Sequence, residues 1–329
     1  MDNNPKLFYA GAKKGDVGGP FVKIKKLNKF FPENKWQFNI VYILSNSPNL
    51  SSYSINLLKN KKLPIILNQN GVFYPSWYKG NWKKQNLIIS NIYHSADYVF
   101  WQSKFCKTAS NKFLGKRQQN GEVLYNAVDT KKFKPNIDQN SKIFKFLITG
   151  NIRKQNNYRI CSVLNAIEKV TKKNKNIHLY IAGNIEDEKY FSSKVELLKI
   201  SNYVTLLGKY SQKNADLIYQ KANAYITMSY QDNCPSAVIE AMSSGLPVLY
   251  SASGGVPELV GNKAGKGLAV PSSWEKMYIP SKEEICEGIL EIIDNRKIMS
   301  EHARERALEL FDIKKWIKRH SEIFKIFLN

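Results

Sequence analysis

Residues 143–183 read IFKFLITGNIRKQNNYRICSVLNAIEKVTKKNKNIHLYIAG. Two short apolar runs, IFKFLITG and NIHLYIAG, each end in a glycine, Gly150 and Gly183. They enclose YRICSVLNAIEKVTKK, whose apolar residues recur at helical spacing. Strand, helix and strand in this order predict parallel strands joined by a crossover helix. The pattern continues with the helix YFSSKVELLKIS, the strand NYVTLLG ending at Gly208, the helix NADLIYQKAN, the strand AYITMS, the helix PSAVIEAMSSG and the strand LPVLYSA. This regular alternation predicts a doubly wound, Rossmann-like α/β domain.

A second series lies upstream. KLFYAGA, FNIVYIL and LPIILNQ read as buried strands, and SNIYHSADYVFWQSKFCKTASNKF continues the alternation of helix and strand. Between the first two strands, FVKIKKLNKFF sets Phe21, Ile24, Leu27 and Phe31 on one helical face, leaving Lys23, Lys26 and Lys29 for the solvated face. The polar stretch TKKFKPNIDQNSK, with Pro135, reads as a linker. The expected organisation is residues 1–136 as an N-terminal α/β domain, 137–308 as a second α/β domain, and 309–329 as a terminal helix packing back on the first. Two such doubly wound domains imply a ligand in a central cleft, at the carboxyl ends of their strands.

With 329 residues, two domains is the natural expectation, and 43% hydrophobic with 23% charged residues is ordinary for a folded protein. No apolar run approaches the ~18 residues of a membrane span. The start, MDNNPKLFYAGAKKGD, has no charged leader before an apolar core. A soluble, cytoplasmic protein is expected. Cys106, Cys161, Cys234 and Cys286 lie far apart, which argues against a disulfide scaffold or a zinc site. Charge is the outlier: the net is +23, and residues 1–140 hold 22 basic against 7 acidic side chains. Such a field favours anionic partners, namely phosphorylated substrates, an anionic membrane or nucleic acid. The basic residues are dispersed and no nucleic-acid-binding motif is present, so nucleic acid is the weakest of the three.

SYQDNCPSAVIEAMSSGLPVLYSASGGVPELVG, residues 229–261, carries two acids separated by seven residues, Asp232 and Glu240, followed by Ala241-Met242, Gly245-x-Pro247-Val248 and Gly254-Gly255-x-x-Glu258. This order resembles the donor-binding signature of retaining glycosyltransferases of family 4, with the GT-B fold. VLYNAVDTKKF and LGKYSQKNADLIYQKANAYITMS are similar to the same family's preceding segments, and the resemblance runs from Gly18 onward. It implies transfer of a sugar from a nucleotide-diphosphate donor (a UDP- or GDP-sugar) with retention, no metal and no separate cofactor. In that reading Asp232 meets the donor sugar and Glu240 the ribose hydroxyls. A helix starting near Pro235 presents free N–H groups and a positive dipole end to the diphosphate, which marks Asn233, Cys234, Pro235, Ser236 and Ala237 as donor-binding, with Asp232 or Asn233 available as the helix cap. Gly18 and Gly19 in KGDVGGPF are similar to the family's glycine loop, where a missing Cβ admits a phosphate or sugar. The resemblance implies that Gly150, Gly183 and Gly208 line the nucleotide pocket, the last, before Lys209 and Tyr210, near the base.

The chain also departs from the family. Where Arg follows the first glycine of the second domain and Lys stands five residues on, this sequence has Asn151 and Asn156, leaving Arg153, Lys154 or Arg159 as substitutes for the phosphates. ILNQNG offers Gln69 and Asn70 where many members carry a histidine beside the reacting sugar. An amide still binds a sugar but cannot titrate. These departures keep open a protein that binds nucleotide sugars without turning them over. The segment GVFYPSWYKGNWKKQN, with Tyr74 and Trp77 among aromatics ringed by Lys79, Lys83 and Lys84, faces the acceptor in this fold. Either the aromatics meet a membrane boundary, with a lipid-linked or polysaccharide acceptor at its inner face, or they pack into the core and stack on sugars.

Overall fold

The computed structural model describes residues 4–12, 15, 19–45, 50–118, 120–136 and 142–328. The chain divides into two α/β units: the first comprises Met1–Asn126, Ser273–Met277 and Ile313–Asn329, the second Ala127–Ser272 and Tyr278–Asp312.

In the first unit β1 (Leu7–Phe8), α1 (Gly19–Phe30), β2 (Ile40–Leu44), α2 (Ser52–Asn60), β3 (Ile65–Gln69), α3 (Trp82–Ser95), β4 (Tyr98–Trp101), α4 (Lys104–Phe113) and β5 (Gly121–Val123) follow one another. The five strands lie in that same spatial order, all parallel. Strand alternation gives the sheet two apolar faces. Val41, Ile43, Ile65, Leu67, Val99 and Trp101 form one core with Ile55 and Leu58 of α2, Ile89 and Ile92 of α3, and Cys106 and Ala109 of α4.

The second unit runs β6 (Phe144–Ile152), α5 (Tyr158–Val170), β7 (Ile177–Ile185), α6 (Glu188–Leu197), β8 (Val204–Gly208), α7 (Ala215–Tyr219), β9 (Ala224–Thr227), α8 (Ser236–Ser243), β10 (Val248–Ala252), α9 (Val256–Val260), β11 (Gly265–Ala269), α10 (Lys282–Asp294) and α11 (Arg296–Leu310). Its six parallel strands are ordered β11-β10-β9-β6-β7-β8, so the direction of winding reverses between β6 and β9. Open α/β sheets bind ligands beyond the carboxyl ends of strands at such a reversal. α12 (Ile313–Ile326) returns to the first unit. There it covers the second face of the sheet: Phe324 meets Phe31 and Tyr42, and His320 meets Tyr42 and Phe100.

Two details differ from the sequence reading. The first stretch of the first unit ends at Asn126, ten residues before the expected boundary. The next residues pack within the second unit, where Val128 N–H donates to the Phe311 carbonyl and Arg304 donates to the carbonyls of Thr130 and Phe133. Lys23 is the second correction. It is only 7% exposed, and its ammonium donates to Asn68 Oδ1 (2.7 Å) and Asn70 Oδ1 (3.1 Å). The buried stripe of α1 is thus turned toward Lys23 and away from Phe21, which is exposed. No helix among the described residues is long and apolar enough to cross a membrane. The four cysteines are free thiols.

Candidate functional site

At the reversal, the chain leaving β9 turns sharply. Gln231 adopts φ +51°, a conformation costly for a side-chain-bearing residue, and its N–H donates to Ser253 Oγ at 2.9 Å. Gly254, at φ +67°, lies so close that a Cβ there would strike the Asp232 carbonyl and the Gln231 backbone. Gly255 N–H donates to that same Asp232 carbonyl at 2.8 Å. The Gly-Gly pair therefore clamps the loop that carries Asp232.

Burial pushes the Asp232 carboxyl above the ordinary aspartate range, opposed by the Arg159 guanidinium and by the N–H groups of Cys234 and Asn233. Pro235 is the N-cap residue of α8 rather than its first helical residue, and no side chain caps the helix. The expectation that Asp232 or Asn233 would cap α8 is corrected: Asp232 takes backbone N–H groups of its own loop instead. Ser236 and Ala237 open the helix, and its first N–H groups are left uncapped by side chains. Asn233 Oδ1 and Arg159 Nε are buried without a hydrogen-bond partner among the described residues. Cys234 is buried beside them.

On the next turns of α8, Glu240 is buried and accepts from Gln212 Nε2 (3.0 Å) and the Tyr219 hydroxyl (2.9 Å). Thr149 precedes Gly150 within β6, which runs two residues past the glycine expected to end it, and lies within hydrogen-bonding distance of the hydroxyls of Tyr219 (3.2 Å) and Tyr225 (3.0 Å). Burial first, and the Glu240 charge next, push the Tyr219 hydroxyl well up, and the same two causes raise Tyr210. Both therefore stay protonated donors beside the carboxylate. Lys132 fixes this wall by donating to the carbonyls of Gln212 (2.7 Å) and Lys213 (2.8 Å), and Phe133 packs edge-on against Tyr219.

The other donor-side candidates fall into three groups. Gly208 has φ +70° and open space where a Cβ would stand, with Lys209 exposed after it. Gly150 and Gly183 pair across β6 and β7, and a Cβ on Gly183 would run into the Gly150 carbonyl, so strand packing alone demands that glycine. Arg153 and Lys154 are exposed, while Asn151 and Asn156 shape their loop: Asn156 Oδ1 accepts from Arg153 N–H (2.6 Å) and Asn156 Nδ2 donates to the Asn151 carbonyl (3.2 Å). Of the three basic substitutes, Arg159 is the one brought to Asp232. The acidic run Glu186-Asp187-Glu188 is used locally, with Asp187 capping α6 and Glu186 accepting from Lys154 N–H.

In the first unit, Gly19 opens α1, and Gly18 lies outside the described residues. Gln69 is fully buried, with its Nε2 on the Gly71 carbonyl (2.7 Å) and its Oε1 without a partner among the described residues. Asn70 is partly exposed, and its Oδ1 accepts from both Lys23 and Gln102. Asn126 in turn donates to Gln102 Oε1 at 3.2 Å. Tyr74 is a correction: it is buried among Trp77, Phe113 and Trp274 and belongs to the core of this unit. Trp77 is 46% exposed, stacked on Phe73.

The sequence reading did not single out Thr149, Gln212, Tyr219, Gln102 or Trp274. A signal existed for Lys23, which precedes Leu27 by one helical turn. Among the described residues no group of three or more His, Cys, Asp or Glu is placed to hold a metal ion.

The family model described as Glycosyl transferases group 1 matches residues 128–309, over half of the chain. An uncharacterized glycosyltransferase of Methanocaldococcus jannaschii is 26% identical over 328 residues, spanning 93% of this chain and 80% of the relative. Among solved structures, Anabaena HepE in complex with UDP matches with a TM-score of 0.71 at 15% identity, covering 93% of this chain and 81% of that one. Sucrose-phosphate synthase from Thermosynechococcus elongatus matches with a TM-score of 0.68 at 15% identity, covering 93% and 77%. At these identities the structural likeness is one of fold.

Proposed function

This chain, built of the two Rossmann-like parallel-sheet units found in GT-B glycosyltransferases, belongs to the glycosyl transferases group 1 family, and from that premise we propose that it is a family 4, retaining, metal-independent enzyme. It transfers a sugar from a UDP- or GDP-sugar to a lipid-linked, polysaccharide or other glycan acceptor presented at the inner face of a membrane. The observation that carries the reading is the convergence at the β6/β9 reversal of the Asp232 loop, the uncapped start of α8 and the buried Glu240.

The chemistry follows from those parts. The N–H groups of Ser236 and Ala237 and the positive end of α8 receive the donor diphosphate, and Arg159 supplies a cation in place of the pair absent at Asn151 and Asn156. As the bond between sugar and phosphate breaks, charge grows on the departing diphosphate, and these fixed donors stabilise it without reorganising. Asp232 accepts from sugar hydroxyls and Glu240 from the ribose. Gln212 and Tyr219 hold the Glu240 carboxylate in place from the other side. The chain contains no Asp-x-Asp, the spacing associated with metal-held donors.

A second reading, a donor-binding protein without turnover, is favoured by Asn156, whose amide is spent on its own loop, and by Asn151, whose Oδ1 accepts from Asn184 Nδ2 at 3.1 Å. Incubation with UDP- and GDP-sugars in EDTA, with cell extract as the source of acceptor, followed by proton NMR of the anomeric signals, separates the two. The proposal expects donor consumption with an α-linked product from an α-linked donor. It also expects at least a hundredfold slower turnover in Asp232→Ala. Because burial raises Asp232, the acid limb of turnover against pH lies above the ordinary aspartate range and disappears in Asp232→Asn. Tight nucleotide binding with no turnover on any donor or acceptor establishes the second reading instead.

A further inference from the structure

Between Asn34 and Ala96 the chain contains no Asp or Glu and seven lysines. All seven, Lys35, Lys59, Lys61, Lys62, Lys79, Lys83 and Lys84, are exposed. The same stretch leaves large apolar side chains in solvent on two neighbouring helices. α2 buries Ile55 and Leu58 but exposes Tyr53 (78%) and Leu57 (45%), one turn apart. α3 buries Ile89 and Ile92 but exposes Leu87 (74%) and Ile88 (46%). Both helices return against parallel strands and so run the same way, and Asn91 of α3 donates to Ser52 Oγ at the start of α2 at 2.7 Å. Lys83 and Lys84 sit one turn before Leu87 and Ile88. Lys59, Lys61 and Lys62 follow Leu57. The result is an apolar band with lysines at both ends and no acidic residue in either helix.

We propose that this α2–α3 face is the surface by which the protein docks on an anionic phospholipid membrane. The inference rests on the membrane-side acceptor of the function proposed above and assigns the surface that serves it. Leucine, isoleucine and tyrosine side chains enter the headgroup boundary, where the apolar band leaves water, while the lysines meet lipid phosphates. Other occupants fit less well. A second copy of the same face would bring the lysines at both ends of the band against their own copies, with no acidic residue in either helix to offset them. Nucleic acid matches the charge, but aliphatic side chains make neither stacking nor base-edge contacts. The aromatic segment at residues 71–86 contributes its lysines and Trp77, while Tyr74 is committed to the core.

The test is co-sedimentation of the full chain with vesicles of phosphatidylcholine alone or with about one-third phosphatidylglycerol, for wild type, Leu87→Ser/Ile88→Ser and Lys83→Glu/Lys84→Glu. UDP and GDP binding is the control that each variant is folded. Wild type is expected to bind only the anionic vesicles and to be released by salt, with each double variant weakened at least tenfold. If both variants bind vesicles as wild type does, the α2–α3 assignment is overturned while the membrane-side acceptor stands. No binding of wild type to either vesicle overturns both. Binding to RNA that the lysine pair abolishes and the Leu87/Ile88 pair leaves intact overturns the lipid in favour of nucleic acid.

Discussion

The C-terminal edges of the two sheets hold buried polar clusters of opposite sign. In the second unit a carboxylate, Glu240, is met by hydroxyl and amide donors from Tyr219 and Gln212. In the first, an ammonium, Lys23, donates to the carbonyl oxygens of Asn68 and Asn70, which also accept from Gln102. That network continues from Asn68 Nδ2 to the Tyr42 hydroxyl (3.2 Å), and from Tyr42 to His320 Nε2 (2.9 Å). His320 is fully buried, and burial holds its pKa down at about 3, so the neutral ring accepts at Nε2 while Nδ1–H donates to the Trp316 carbonyl (2.8 Å). A buried charge needs fixed partners of complementary polarity, and each unit supplies them from its own strands and helices. The two clusters should therefore fail differently: damage in the second unit reads out as lost nucleotide binding, damage in the first as lost stability.

Lys23→Met makes the sharpest use of this contrast. Removing a charged donor from the buried Asn68 carbonyl and the partly exposed Asn70 carbonyl should cost about 2 kcal/mol, measured as a lower urea midpoint, with UDP and GDP affinity unchanged. A variant of wild-type stability that no longer binds nucleotide would break the contrast. Gly254→Ala should cost about 1–2 kcal/mol and also weaken nucleotide binding, because the new Cβ must displace the Asp232 loop from a turn at φ +67°. Unchanged affinity there would show that the loop position does not matter to the ligand.

The last prediction is a pH slope in the first unit. The unfolded histidine takes up a proton below about pH 6.5, whereas folded His320 resists until about pH 3. Its contribution to stability is present above the unfolded pKa and lost as pH falls across that window. His320→Gln should flatten the stability profile between those values, and an unaltered slope would remove His320 from the account.

The same contrast explains what the sequence disclosed. Glu240 and Asp232 stood out because seven residues separate them inside an ordered run with Gly254, Gly255 and Glu258, and the strand–glycine rhythm of residues 143–208 marked the sheet. The cluster of the first unit joins Lys23, Tyr42, Asn68, Asn70, Gln102, Asn126 and His320 across most of the chain, and no local spacing announces such a set. Trp274 is similar. It lies in a five-residue segment that sequence order assigns to one unit, yet it packs on Tyr74, Phe105 and Phe113 of the other. Lys23 misled for a simpler reason. A helix with lysine on both flanks of its apolar stripe does not say which flank turns inward, and the amide oxygens that decided it lie on β3 and just beyond its end.

The central claim is that the second unit holds a nucleotide sugar through the Asp232 loop, the start of α8 and Glu240. Titration calorimetry of UDP and GDP into wild type and Glu240→Gln tests it most directly, since glutamine keeps the volume and still accepts from Tyr219. The account predicts that one of the two nucleotides binds wild type and that Glu240→Gln, folded by circular dichroism, binds it at least tenfold more weakly, because a charged acceptor for the ribose hydroxyls is gone. Equal affinity in both proteins, or no binding of either nucleotide to wild type, would contradict it.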